Sequence, residues 1–280
     1  MSTKNHVAGK SIIVTGAGGG FGRLISQRAA ALGARLTCAD VDADALAETV
    51  AGIERAQGKA QAMVTDVTNI ADMRALAAAA VSAYGAIDVM VNNAGVMPLG
   101  LFADHAAGLD RWHRCIDINF KGVLNGIVAV YDQMMAQGEG HVVNISSIYG
   151  NFPTYGGGVY GATKSAVNFL SDSLRIETRG KIKVTIVKPT GVPGTNLSKG
   201  VVNGEGVRGI VGQNAAAFMA MRQQFDAGTL DPALLDPERM DYVSLDPAFI
   251  ADAVIHAIDQ PKGVSIGEIT VRAAGDHFVL

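Results

Sequence analysis

The chain has 280 residues, with 23 Lys and Arg against 26 Asp and Glu and a formal charge of −3. That length buries a large core and suits one big α/β unit, while the near-balanced charge without a basic run excludes a nucleic-acid backbone as partner. Two cysteines, Cys38 and Cys115, are too few for a disulfide framework, and the six scattered histidines offer no metal-ligand spacing, so no metal is expected. No apolar run is long enough for a membrane span. The opening Met1 to His6 lacks the apolar core of a signal peptide, which makes a cytoplasmic location, away from membranes, the expectation.

The first predicted strand, Ser11 to Thr15, runs into a glycine turn, Thr15-Gly16-Ala17-Gly18-Gly19-Gly20-Phe21-Gly22, and then into a helix beginning near Leu24. Such a turn lets the backbone approach a pyrophosphate, and the free N–H groups and positive end of the helix stabilise its charge. A second strand, Arg35 to Ala39, ends on Asp40, close to the ~20-residue offset at which an acid accepts hydrogen bonds from the adenosine ribose. A carboxylate there repels a 2′-phosphate, no Lys or Arg interrupts the turn, and NAD is favoured over NADP. The competing role for Asp40 is to cap the next helix, alongside Asp42 or Asp44.

Helix Ala43 to Gln57, strand Ala60 to Thr65, helix Ile70 to Tyr84 and strand Ile87 to Asn92 follow. Strand His141 to Ser146 precedes Ser147, and a helix from Val159 to Thr178 carries Tyr160 and Lys164, which share one face at a spacing of four. A nearby ammonium favours the ionised phenol, which makes Tyr160 a plausible acid/base. Strand Lys183 to Lys188 and a last strand near Ser265 to Val271 complete the alternation. It implies a doubly wound parallel sheet of about seven strands, helices on both faces, and a ligand crevice at the carboxyl ends of the strands. No repeat or linker divides the chain, so residues 1–280 are expected to form one domain.

The glycine turn, Asn92-Asn93-Ala94-Gly95, Ser147 and Tyr160 with Lys164, taken together and in order, resemble the short-chain dehydrogenase/reductase family from about residue 10 to residue 190. The resemblance implies a Rossmann-like fold and cofactor contacts at Gly16, Gly19, Gly20, Phe21, Gly22, Asp40, Asp66, Val67, Asn93, Ala94, Gly95, Tyr160 and Lys164. It also implies contacts from Pro189, Gly191, Val192 and Thr195, although here the family's Pro-Gly-x-Val-x-Thr reads Pro189-Thr190-Gly191-Val192-Pro193-Gly194-Thr195. Thr190 replaces a glycine, and Thr195 comes one position late.

The catalytic set implied by the resemblance is Asn119, Ser147, Tyr160 and Lys164. Tyr160 exchanges a proton with the substrate, Ser147 fixes its oxygen, Lys164 holds the nicotinamide ribose and lowers the phenol pKa, and Asn119 holds a water that links the lysine to solvent. A local role for Asn119, satisfying nearby backbone, is the alternative. Ser146 is expected to point away from the site, and Tyr155 is the rival phenol.

Residues 190–246 are expected to form a substrate lid rich in apolar side chains, among them Val201, Val202, Ile210, Val211, Phe218, Met219, Met221, Phe225, Leu230, Leu234, Leu235 and Met240. Met97, Ile148, Tyr149, Phe152, Tyr155 and Val159 are the other expected pocket residues. The expected activity is oxidation of an apolar secondary alcohol, cyclic, aromatic or steroid-like, to its ketone by NAD. The alternatives are a 3-oxoacyl-carrier reductase and a non-catalytic dinucleotide-sensing or scaffold protein. Family members are often tetramers, so a homo-oligomer is expected.

Overall fold

The computed structural model describes residues 4–193 and 195–279; Gly194, inside the expected lid, lies outside the described residues. Seven strands form one parallel sheet: β1 (Ser11–Thr15), β2 (Arg35–Asp40), β3 (Lys59–Val64), β4 (Val89–Asn92), β5 (Gly140–Ile145), β6 (Ile182–Pro189) and β7 (Glu268–Val271). Their spatial order is β3-β2-β1-β4-β5-β6-β7. The order reverses between β1 and β4, the place where a doubly wound sheet opens a crevice.

Strand periodicity builds two cores. Ile12, Val14, Leu36, Cys38, Val89, Val91, Val143 and Ile145 face one side and pack on α1 (Gly20–Ala31), α2 (Ala43–Arg55) and α9 (Pro247–Ile258). Ile13, Ala39, Met90, Val142 and Val184 face the other side, against α3 (Ile70–Tyr84), α5 (Gly122–Gln137) and α6 (Gly158–Glu177). Successive side chains of one strand thus feed opposite layers. Each fully buried Ile, Leu or Val contributes about 1.5–3 kcal/mol by leaving water.

After β4, α4 (His105–Ile116) runs through a single π-helical turn, Asp117–Lys121, directly into α5. The chain between β6 and β7 forms α7 (Glu205–Val211), α8 (Ala215–Asp226) and the helix α9 that returns to the body.

Element boundaries differ from expectation where side chains compete for backbone groups. β4 begins at Val89 rather than Ile87, because Gln137 bonds both the N–H and the C=O of Ile87. β7 begins at Glu268 rather than Ser265: Lys183 Nζ takes the carbonyl of Val264, and Thr185 Oγ1 takes that of Ile266. α2 stops at Arg55, and the chain leaves it through Gln57, whose φ of 62° lies in the left-handed region.

Candidate active site

A cleft of about 1030 Å³ opens at the carboxyl ends of the strands. One end is the glycine turn. α1 begins behind Gly19 with no side-chain cap and no acid in its first turn, so its leading N–H groups have no partner from a capping side chain. A Cβ on Gly20, where φ is 49°, would meet only Thr195, at 3.9 Å. A polar, uncapped helix start facing open space is what an anionic pyrophosphate requires. Gly22 is not on the cleft wall. A Cβ there would lie 2.1 Å from the Gly16 carbonyl oxygen, so it is the close approach of helix and strand that excludes a side chain.

Asp40 lines the cleft, and one carboxylate oxygen accepts the Gly18 N–H at 2.8 Å while the other accepts that of Asp42. The α2 cap is Asp42, which accepts from Ala45 N. Asp40 therefore braces the glycine turn rather than the helix. Asn93 donates to the carbonyls of Thr15 and Gly16, and the Thr15 hydroxyl accepts from the N–H groups of Asn93 and Ala94. This lashes the Asn93-Ala94-Gly95 turn to the glycine turn. Phe21, Asp66, Val67, Pro189, Gly191, Val192 and Thr195 also line the cleft.

At the other end stand Ser147, Tyr160 and Lys164. Ser147 leaves the tip of β5, and its hydroxyl accepts from Tyr149 N. Ser146, expected to point away, also lines the cleft, but its hydroxyl donates to Asn168 Oδ1 at 2.6 Å and lies 3.2 Å from the Lys164 carbonyl. Tyr160 and Lys164 lie one turn apart on α6, with Lys164 Nζ 5.8 Å from the phenol ring centre and bonded to the Ile145 carbonyl at 2.8 Å.

Both groups are buried, and burial disfavours charge. It pushes the Tyr160 phenol up to about 12, against a smaller opposing effect of its hydrogen bond with Ser147. It pulls the Lys164 ammonium down to about 8. The phenol is thus raised in the protein alone, because desolvation exceeds the lowering effect of the Ser147 hydrogen bond; the depression expected from the sequence calls for a bound cationic cofactor ring beside Lys164.

Asn119 does not reach the cleft wall. Its side chain sits behind Gly95, where it accepts from Val96 N at 2.9 Å, donates to Val96 O at 2.9 Å and lies 3.2 Å from Thr163 Oγ1. The π-helical turn aims this amide inward, and it satisfies backbone beside the site. Thr163 in turn donates to the Tyr160 carbonyl.

The apolar wall comes from the lid. Val201, Ile210, Phe218, Met219, Met221, Phe225, Leu230 and Leu235 line the cleft, whereas Val202, Val211, Leu234 and Met240 do not, and Met240 is 85% exposed. Met97 and Tyr149 line it too. Ile148, Phe152, Tyr155 and Val159 lie off it, Ile148 inside the core and the rival phenol Tyr155 out in solvent. Sequence reasoning missed Arg114 and Phe278, which also reach the cleft. Phe278 is remote in sequence from every motif, so no local pattern marked it. Among the described residues no cluster of His, Cys, Asp and Glu is arranged for a metal, and no helix is long and apolar enough to cross a membrane.

The short chain dehydrogenase family model matches residues 10–206. An uncharacterized oxidoreductase of Listeria monocytogenes is 34% identical over 274 residues, covering 97% of each chain. A short-chain dehydrogenase/reductase from Burkholderia phymatum, solved in complex with NAD, superposes with a TM-score of 0.74 at 28% identity, covering 95% of this chain and 90% of that one. A metagenomic short-chain oxidoreductase in complex with NADP gives 0.72 at 26% identity, over 95% and 98%. With the glycine turn at one end of the cleft and the Ser, Tyr and Lys side chains at the other, the chain belongs to the short-chain dehydrogenase family of oxidoreductases.

Proposed function

We propose that the protein oxidises an apolar secondary alcohol, cyclic, aromatic or steroid-like, to the ketone with NAD. The observation that carries this reading is the convergence of Ser147, Tyr160 and Lys164 on an apolar-walled cleft whose far end holds an uncapped helix start and Asp40. NAD, when bound, supplies the acceptor for the hydride that leaves the carbinol carbon.

The protein's own groups do the rest. The N–H groups at the start of α1 hold the pyrophosphate. Asp40 accepts from the adenosine ribose hydroxyls, and its charge rejects a 2′-phosphate. Asp66 and Val67 would hold the adenine, and Gly191, Val192 and Thr195, which line the same cleft, would hold the nicotinamide end. Ser147 donates to the substrate oxygen. Tyr160 takes the hydroxyl proton at its phenolic oxygen, a step that demands a much lower pKa than about 12. The Lys164 ammonium and the positive nicotinamide ring supply that depression, and Lys164 also holds the nicotinamide ribose.

An acyl-carrier reductase reading sits poorly with the acid at position 40, and a scaffold reading with the intact Ser147, Tyr160 and Lys164. We also infer a cytoplasmic homotetramer, the assembly being supported by apolar side chains left exposed on α5 and α6.

NADH formation with a panel of hydrophobic secondary alcohols tests the proposal. Wild-type turnover with NAD, lost by roughly 10²–10⁴-fold in Tyr160→Phe, is expected. No turnover on the whole panel, or a variant as fast as wild type, rejects it.

A further inference from the structure

Thr190 stands where a glycine was expected, and the C-terminal tail shows what its hydroxyl does. It donates to Asp276 Oδ2 at 3.0 Å. The Asp276 side chain is only 1% exposed, and its other oxygen accepts from Arg272 Nη2 and from Phe278 N. Arg272 also donates to the Phe278 carbonyl at 3.1 Å. A charged, hydrogen-bonded hub of this kind fixes the backbone on both sides of residue 277.

The ring it fixes forms part of the cleft wall. Phe278 lies so close on the backbone of Gly191 that a Cβ there would fall 1.7 Å from the ring. On its other side the ring meets Phe218 of α8 edge-on, with centres 5.7 Å apart. The tail also bonds α7, through Val279 N to the Ile210 carbonyl, and the start of α8, through Asn214 to the His277 carbonyl. Phe278 is therefore wedged between the turn after β6 and the lid.

We propose that Phe278 is a specificity-determining residue that limits substrate width, and that Thr190, Asp276 and Arg272 are positioning residues that hold its ring. The inference rests on the alcohol dehydrogenase reading. Within that class the Phe278 ring narrows the cleft, so that its removal favours wider ring systems over narrower ones.

The experiment compares kcat/KM for 1-phenylethanol and 1-(2-naphthyl)ethanol, alongside NADH affinity. In Phe278→Ala the naphthyl-to-phenyl ratio should rise about tenfold, carried by KM, with NADH affinity unchanged. Phe278→Leu should give an intermediate ratio. Thr190→Val should move the ratio in the same direction by about threefold, while Thr190→Ser, which keeps the hydroxyl, restores the wild-type value. A wild-type enzyme that turns over these alcohols but shows no change of ratio in the Phe278 variants overturns the inference alone. So does a change of ratio matched by lost NADH affinity. A wild type inactive on both alcohols and on the wider panel overturns the alcohol dehydrogenase reading, and this inference with it.

Discussion

The Tyr160 phenol and the Lys164 amine are held in a desolvated pocket that pushes both toward neutrality, to about 12 and about 8. A neutral phenol is a poor base, so proton abstraction near neutrality depends on positive charge brought to it. The sign is fixed: removing the lysine charge raises the phenol pKa further. In the NAD complex kcat should rise with pH through an ionisation well below 12, and Lys164→Met should move that midpoint upward by about one unit or more. A pH–rate profile that does not shift in Lys164→Met contradicts the coupling. Asp40 makes a second residue-scale prediction. Asp40→Asn keeps an acceptor for Gly18 N but removes the charge, so the NADP-to-NAD ratio of kcat/KM should rise on the order of tenfold. An unchanged ratio in steady-state assays would mean that selectivity lies elsewhere.

At the scale of elements, the glycine turn and the helix after it form one packed unit. Gly22→Ala drives a methyl group into the Gly16 carbonyl, 2.1 Å away, and should cost about 1–3 kcal/mol in denaturant unfolding while weakening NADH binding. Wild-type stability in that variant would show that the helix can shift without cost. Much of this level was legible in the sequence, because β1 is a short unbroken apolar run and α3 a stretch rich in the helix former Ala, and both have the expected bounds. The boundaries that moved were decided by long-range bonds, such as Gln137 to Ile87, which no local window contains. The same holds for the site. Ser147, Tyr160 and Lys164 are near one another along the chain and could be read as a set. Phe278 enters the cleft only through tertiary contacts from the far end of the sequence. Asn119 was identified, but its bonds to Val96 depend on a π-helical turn that composition does not signal.

At the scale of the whole molecule, Leu124 and Val128 on α5 and Phe169 and Ile176 on α6 remain exposed, with Phe169 at 76% and Ile176 at 77%. Large apolar side chains repeated along two helices are a face that gains from being covered. Light scattering at micromolar concentration should give about four times the 29.0 kDa chain mass. Phe169→Glu with Ile176→Glu should reduce it. A wild-type monomer would remove the tetramer from the account.

In the proposed reaction Tyr160 accepts a proton while hydride leaves the neighbouring carbon for NAD. Its most direct measurement uses a secondary alcohol deuterated at the carbinol carbon, with the nicotinamide product weighed by mass spectrometry. Wild type should place one deuterium on the reduced nicotinamide, and Tyr160→Phe should slow that transfer by roughly 10²–10⁴-fold. Reduced nicotinamide without deuterium, or equal transfer rates in the two proteins, would contradict it.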